Sequence, residues 1–299
     1  MAAIVGPTAV GKTAVSLEVA EALDAEIVSV DSMQIYRGMD IGTAKPDAAM
    51  QQRVPHHLLD IKDPAEPVTV SDYQELARAA IADIFGRGRL PLLVGGSGLY
   101  LRAVVDDLEF PPRSAEVRSA LEEEAESLGA EALHARLAEL DPAAAAKIEP
   151  GNARRTVRAL EVIELTGRPF SDNDAWERYE SRYHLAMVGL RRDRDDLYDR
   201  VAARVDEMFE QGFAAEVAAL SGRPLGPTAR QALGYKQILD NPAAPAGETK
   251  AEIVKATKRF VRRQDSWFRS DPRIEWLDAT GAGLTGALTA FFREALGLP

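Results

Sequence analysis

Short apolar runs and helical stripes alternate along the first third of the chain. Ile4-Val5 is a brief apolar run, and Val15, Val19, Ala22 and Leu23 follow it at helical spacing. Glu26-Ile-Val-Ser-Val-Asp31 is a β-branched run that ends in an acid, the mark of a buried strand. Leu58-Leu-Asp-Ile61 is expected as a further short strand. Ser71-x-x-Gln74 is expected to open a helix as a capping box; that helix carries Leu76, Ile81, Ile84 and Phe85 and stops at Gly86. Leu90-Pro-Leu-Leu-Val94 is another buried strand, and Gly95-Gly-Ser-Gly98 is a tight strand-to-helix turn. This alternation predicts an α/β fold, a parallel sheet flanked by helices, with ligands at the carboxyl ends of the strands.

The rhythm changes at Phe110-Pro-Pro112. From Ser114 to about Arg182 the pattern is helical, with Leu121, Leu133, Leu137 and Leu140 as apolar positions. Asn152 to Leu165 sets Val157, Leu160 and Ile163 along one side and Arg154, Arg155 and Arg158 along another. His184 to Leu190 returns to strand character. Leu197, Val201, Val205 and Met208 form a stripe suited to core or lid packing. A long helix is expected from about Lys250 to Phe268, with Ile253, Ala256, Phe260 and Trp267 on one side and Lys255, Lys258, Arg259, Arg262 and Arg269 on another. Ile274 to Leu277 is a candidate last strand. The expected organisation is a P-loop core begun by residues 1–112, an all-helical insertion at 113–182, and completion of the core with a basic helix at 183–299.

Composition narrows the chemistry. With 299 residues and no cysteine, disulfides, thiolate metal sites and a cysteine nucleophile are excluded. No apolar stretch reaches bilayer length, and Met1 runs straight into the first apolar run, so no membrane partner, no signal peptide and a cytoplasmic location are expected. A net charge of −11 argues against nucleic acid when taken alone. Charge is segregated, however: Lys250 to Arg273 holds eight Lys/Arg against three Asp/Glu. A basic stripe of this kind suits a nucleic-acid backbone or a diphosphate.

Gly6-Pro-Thr-Ala-Val-Gly-Lys-Thr13 is the G-x-x-x-x-G-K-[ST] phosphate loop. Its glycines let backbone N–H groups turn inward on an anion, Lys12 adds a point charge, and the Thr13 hydroxyl can ligate Mg²⁺. Asp31, at a strand end beside this loop, suits a metal ligand, a general base or a capping acid. Gln34 and Tyr36 stand at the same strand exit, where Tyr36 could equally be packed. Lys45 reads by composition as a solvated loop lysine. Ser97 suits a phosphate or sugar contact, or equally a helix N-cap. Arg154, Arg155 and Arg158 read as a solvated face or as phosphate contacts. His56 and His57 are adjacent and would be splayed apart, and His134 and His184 are isolated, so no zinc site is expected.

The motifs taken together resemble the bacterial tRNA dimethylallyltransferase (tRNA isopentenyltransferase) family. The matching stretches are the phosphate loop; Asp31-Ser-Met-Gln-Ile-Tyr36; Gly38-Met-Asp-Ile-Gly-Thr-Ala-Lys-Pro46; Pro55-His-His-Leu-Leu-Asp60; Leu92-Leu-Val-Gly-Gly-Ser-Gly-Leu-Tyr100; Arg158-Ala-Leu-Glu-Val162; Gln231-Ala-Leu-Gly-Tyr-Lys236; and Thr257-Lys-Arg-Phe-Val-Arg-Arg-Gln264 with Trp267-Phe-Arg269. They span nearly the whole chain, and Asp31 to Pro46 is more diagnostic than the phosphate loop. Ser266, where threonine is common, is a small departure.

The resemblance implies transfer of a dimethylallyl group from dimethylallyl diphosphate to N6 of an adenosine beside the anticodon of tRNA. It implies that Gly6, Pro7, Thr8, Ala9, Val10, Gly11, Lys12 and Thr13 hold the diphosphate, with Mg²⁺ through Thr13 and an arginine of the C-terminal helix, Arg259 or Arg263. It implies Asp31 as the base, with Thr8 and Lys12 at the reacting atoms. Asp31, Ser32, Met33 and Gln34 would read the flipped base. Ser97, Arg154, Arg155, Arg158, Gln231, Gly234, Tyr235 and Lys236 would contact tRNA. A monomer is expected. The alternatives are a P-loop small-molecule kinase, an adenylate isopentenyltransferase acting on free AMP or ADP, and a non-enzymatic tRNA-binding module.

Overall fold

The computed structural model describes residues 1–172 and 178–299. Six parallel strands form one sheet: β1 (Ala2–Val5), β2 (Ala25–Val30), β3 (His56–His57), β4 (Leu90–Gly95), β5 (Ala186–Arg191) and β6 (Ile274–Asp278), in the order β3-β2-β4-β1-β5-β6. Every residue of β1 and β2 is buried, because helices cover both faces of a parallel sheet. One face packs Val28, Val30, Leu93 and Met187 against Tyr73, Ile81 and Phe268. The other packs Ile4, Ile27, Leu92 and Val188 against Val15, Leu197 and Phe292. From β1 the chain crosses to β2 on one side, and β5 flanks β1 on the other. The loop after β1 therefore lies at a topological switch point, where open α/β sheets bind ligands.

The chain divides into two compact units, Met1–Asp106 with Ser181–Pro299, and Asp107–Glu180. The second holds helices Ala115–Leu128, Ala130–Leu140, Pro142–Lys147 and Ala153–Thr166 and, among its described residues, no strand. Leu121, Leu133, Leu137, Val157 and Leu160 make its core, whereas Leu140 is exposed. The helical expectation at 173–177 lies outside the described residues.

Several local expectations are corrected. The short strand falls at His56–His57, and Leu58 and Asp60 instead take left-handed backbone (φ 66° and 55°) that no strand accepts. Helix Val70–Gly86 is capped by Thr69 and Asp72, each bonding the other's backbone N–H, rather than by Ser71 and Gln74. The basic helix runs longer, Ala246–Arg269, and buries Ile253, Val261, Gln264 and Phe268. Trp267 is exposed, and Ala256 and Phe260 line a cavity. Among the described residues no helix is long and apolar enough to cross a membrane.

Candidate active site

The phosphate loop is shaped by steric need. At Gly6 (φ 145°) a Cβ would stand 2.7 Å from the Leu190 carbonyl oxygen, so β5 admits only glycine there. Gly11 (φ 109°) precedes helix Lys12–Ala22 in the left-handed region. Ala9 holds φ 64° although it carries a Cβ, and Arg200 Nε pins its carbonyl at 2.8 Å. Lys12 donates to the Gly6 and Pro7 carbonyls at 2.9 and 2.8 Å. Burial and the Arg204 cation lower its pKa to about 7, against the attraction of Asp31.

Thr8 is gripped twice. Its N–H donates to Gln264 Oε1 at 3.0 Å, and its hydroxyl accepts from Arg204 at 2.9 Å. Gln264 also donates to the Gly96 carbonyl at 2.8 Å, tying the phosphate loop to the turn after β4. That turn is glycine-rich for packing. A Cβ on Gly95 would meet the Val30 carbonyl at 2.0 Å, one on Gly96 Gln264 at 2.3 Å, and one on Gly98 the Trp267 indole at 1.9 Å.

Asp31 follows β2 directly, and one of its carboxylate oxygens accepts the Met33 N–H at 2.8 Å. Its charge reaches both Lys12 and Arg204. Burial depresses the Arg204 pKa, while Asp31 and Glu207 raise it.

These groups share one cavity of about 1300 Å³, lined by Thr8, Ala9, Gly11, Lys12 and Thr13, by Asp31 to Gln34, and by Ser97. Arg200, Arg204, Gln231, Arg259 and Arg263 add to its polar wall, which also holds the acids Asp40, Asp60 and Glu207, and Met208, Ile253, Ala256 and Phe260 supply apolar surface. Val10 is buried in the core, so only its backbone could serve an anion. Arg262 turns away to the Tyr198 hydroxyl at 3.1 Å. Ser97 makes no side-chain capping bond.

Three expectations for tRNA contacts change. Tyr235 is 1 % exposed, its ring packs on Phe213, and its hydroxyl donates to Glu216, so it is a core residue rather than a surface contact. Gly234 (φ 91°) is buried, with Phe213 2.9 Å from where a Cβ would stand. Arg158 is engaged by its own unit: it bonds the Pro111 and Pro112 carbonyls at 2.8 and 2.9 Å and the fully buried Glu161 at 2.8 Å. Arg154 and Arg155 are exposed on the first turn of the same helix. Lys236 bonds the exposed Gln231 at 2.8 Å.

Lys45, read as solvated, has a side chain 3 % exposed and bonds the Tyr36 carbonyl, Asp40 and Asp60. Sequence reasoning also missed Arg200, Arg204, Gln264 and Glu216. Arg200 and Arg204 carried a faint signal, since they stand four apart, each beside a member of the Leu197–Met208 stripe.

Among the described residues no cluster of three His, Asp or Glu side chains could enclose a metal ion. Mg²⁺ does not need one, because it keeps several waters and takes few protein ligands beside substrate phosphates. The Thr13 hydroxyl at the cavity wall fits that pattern.

A family model described as IPP transferase matches residues 34–271. The tRNA dimethylallyltransferase of Salinispora arenicola is 55 % identical over 297 residues, which cover 98 % of this chain and 86 % of that one. Its counterpart in Streptomyces avermitilis is 53 % identical over 290 residues, 95 % of this chain and 91 % of that one. Among solved structures, the tRNA isopentenylpyrophosphate transferase of Bacillus halodurans has a TM-score of 0.72 at 42 % identity, covering 99 % of this chain and 98 % of that one. A eukaryotic dimethylallyltransferase described as acting on tRNA has a TM-score of 0.85 at 25 % identity, covering 100 % of this chain and 80 % of that one.

Proposed function

The chain belongs to the IPP transferase family, and on that premise we propose that it transfers a dimethylallyl group from dimethylallyl diphosphate to N6 of adenosine 37 in tRNA. One observation carries this reading: a carboxylate, Asp31, faces the same cavity as a full set of anion-binding groups. At about 1300 Å³ that cavity exceeds the roughly 300–1000 Å³ of an ordinary small-molecule site, leaving room for a diphosphate and a purine together.

The chemistry follows from the residues. The N6–C1 bond forms as the C1–O bond to diphosphate breaks, and N6 loses a proton. The adenine N6 lone pair is delocalised into the ring, so the amine needs a base. Asp31 accepts that proton. Charge collects on the departing diphosphate, where loop amides, Lys12, Arg204 and one of Arg259 and Arg263 stabilise it. Thr8, held by Arg204 and Gln264, orients its hydroxyl at the junction of the two substrates. Mg²⁺ held through Thr13 would neutralise part of the diphosphate charge. Met208, Ile253, Ala256 and Phe260 give the allyl group an apolar wall.

The adenosine enters unstacked, as chemistry on a base requires. Ser32, Met33 and Gln34 read its edge. Ser97, Gln231 and Lys236 contact the anticodon loop, and Arg154 and Arg155 of the insertion contact phosphates. Action as a monomer belongs to the same reading, and the tRNA acceptor supports a cytoplasmic location.

Labelled dimethylallyl diphosphate with Mg²⁺, offered tRNA, AMP or no acceptor, tests the reading. Label in tRNA alone is expected. Label in AMP but not tRNA would replace it with an adenylate prenyltransferase, and ATP-dependent phosphoryl transfer without prenylation would replace it with a kinase.

A further inference from the structure

Glu216 lies on helix Phe213–Ser221, outside the cavity lining, yet it makes an unusual set of bonds. Its Oε2 accepts the N–H groups of Asp40 and Ile41 at 3.1 and 2.8 Å, and its Oε1 accepts the N–H of Gly42 at 3.2 Å and the Tyr235 hydroxyl at 2.5 Å. Three consecutive backbone donors converge on one carboxylate, a nest that holds a loop as firmly as it would hold a bound anion. Gly42 makes the approach possible, since a Cβ there would stand 2.3 Å from the Tyr235 ring and 2.4 Å from Phe213. Lys45 fastens the far end of the segment through the Tyr36 carbonyl, Asp40 and Asp60.

The next residues of that segment face the substrate side. The Thr43 and Ala44 carbonyls accept both hydrogen bonds from Gln34 Nε2, at 3.2 and 3.3 Å, and the Ser29 hydroxyl donates to Gln34 Oε1 at 2.8 Å. Carbonyls accept only, so two of them fix the amide with its NH₂ toward the loop. The end of Gln34 left for a ligand is then Oε1, which has a second lone pair. An acceptor in that place matches an exocyclic amine and repels an exocyclic carbonyl.

We propose that Glu216 and Tyr235 are positioning residues for purine choice: through the Asp40–Ala44 segment they hold Gln34 with its carbonyl oxygen toward the base, so that the cavity takes a 6-amino purine and rejects a 6-oxo one. This rests on the adenosine reading above and adds the part of the chain that enforces it. Tyr235 donates its hydroxyl, since burial, and next the Glu216 carboxylate, raise its pKa. Without that brace the carbonyls of Thr43 and Ala44 lose their fixed place, the amide of Gln34 can turn over, and its NH₂ then suits a 6-oxo group.

The test reads binding without chemistry. Anticodon stem-loops with adenosine or inosine at the target position are titrated by fluorescence anisotropy, with no prenyl donor. The ratio of the two dissociation constants is independent of the fraction of protein folded. The wild type is expected to prefer adenosine by about tenfold or more, as a site built to pair an N–H does. Tyr235→Phe, which keeps the ring packing and removes only the hydroxyl, and Glu216→Gln should each reduce the ratio at least threefold. Gln34→Ala should bring it near one. A wild-type ratio near one, or ratios within twofold of the wild type in both Tyr235→Phe and Glu216→Gln, overturns the proposal. Failure of the adenosine prenylation itself would appear separately, as absent label in tRNA.

Discussion

On the reading proposed above, Lys12 should couple donor binding to protons. With its pKa lowered to about 7 by burial and by Arg204, Lys12 is expected to be mostly neutral in the unliganded protein at pH 8. A diphosphate in the loop brings negative charge against the ammonium and raises that pKa again. Binding above pH 7 therefore takes up nearly one proton. The sign follows: the ion pairing contributes fully to affinity below the unliganded pKa, where Lys12 is already charged, contributes less as pH rises past it, and is lost once pH passes the higher bound-state pKa. While the bound-state pKa stays above the ambient pH, Kd weakens by up to tenfold per unit, or about fiftyfold from pH 7 to 9 (~2.3 kcal/mol). The last ionisation of a phosphate group lies near pH ~6, so the donor is already ionised across this range. Calorimetric titration of dimethylallyl diphosphate at pH 8, in buffers of different ionisation enthalpy, should count an uptake of most of one proton. Lys12→Met should bind more weakly and show a flat profile above pH 7. An uptake below about 0.2 in the wild type, or an unchanged slope in the variant, refutes the coupling.

Asp31→Asn should lower kcat by roughly 10²–10⁴ with donor affinity kept, as for a lost general base, and a near-normal rate would reject that role. Arg204→Gln should raise the donor KM by about ten- to a hundredfold, because it removes a bond from Thr8 and, on the reading proposed above, a charged donor from the diphosphate. Arg154→Ala should flatten the dependence of log K for tRNA on log salt by about 0.7, whereas an unchanged slope would show that Arg154 is merely solvated. Arg158→Ala should instead cost about 1–3 kcal/mol in thermal unfolding, since it leaves the buried Glu161 with Arg118 and the Ser114 N–H alone. Burial opposes the ionisation of Glu161, yet the Arg118 and Arg158 bonds hold its pKa below 4.5. Its contribution is therefore present above pH 4.5 and lost as the pH falls through the lower folded value, which acid titration of unfolding in wild type and variant would reveal.

The parts legible in the sequence were those whose structure is set within a few residues. The phosphate loop needs its glycines for its own turn, and Asp31 is placed by the strand that ends beside it. The apolar stripes of the insertion are equally local. What escaped notice depends on partners far along the chain: Thr8 finds Arg204 across 196 residues and Gln264 across 256, and Glu216 finds Ile41 across 175. Composition misjudged Lys45 because its stretch looks solvent-exposed, while three oxygens bury its ammonium. Tyr235 was misassigned for the opposite reason, as a polar-tipped aromatic in a motif can be packing as readily as contact. The cap of helix Val70–Gly86 shows a narrower limit. Thr69-x-x-Asp72 and Ser71-x-x-Gln74 overlap, and only backbone geometry chooses between them.

The bond from Thr8 to Gln264 also sets an order of events during synthesis. A ribosome adds roughly 5–20 residues per second. The 256 residues that separate the partners mean that the phosphate loop emerges about 13–50 s before the glutamine that completes it. β1 waits as well, because its neighbour β5 is made late. Through that interval the phosphate loop lacks its Gln264 anchor, and β1 lacks its β5 neighbour for as long as β5 is unmade. A chain that stops short of Gln264 would keep the phosphate-loop motif and lack the bond that anchors Thr8.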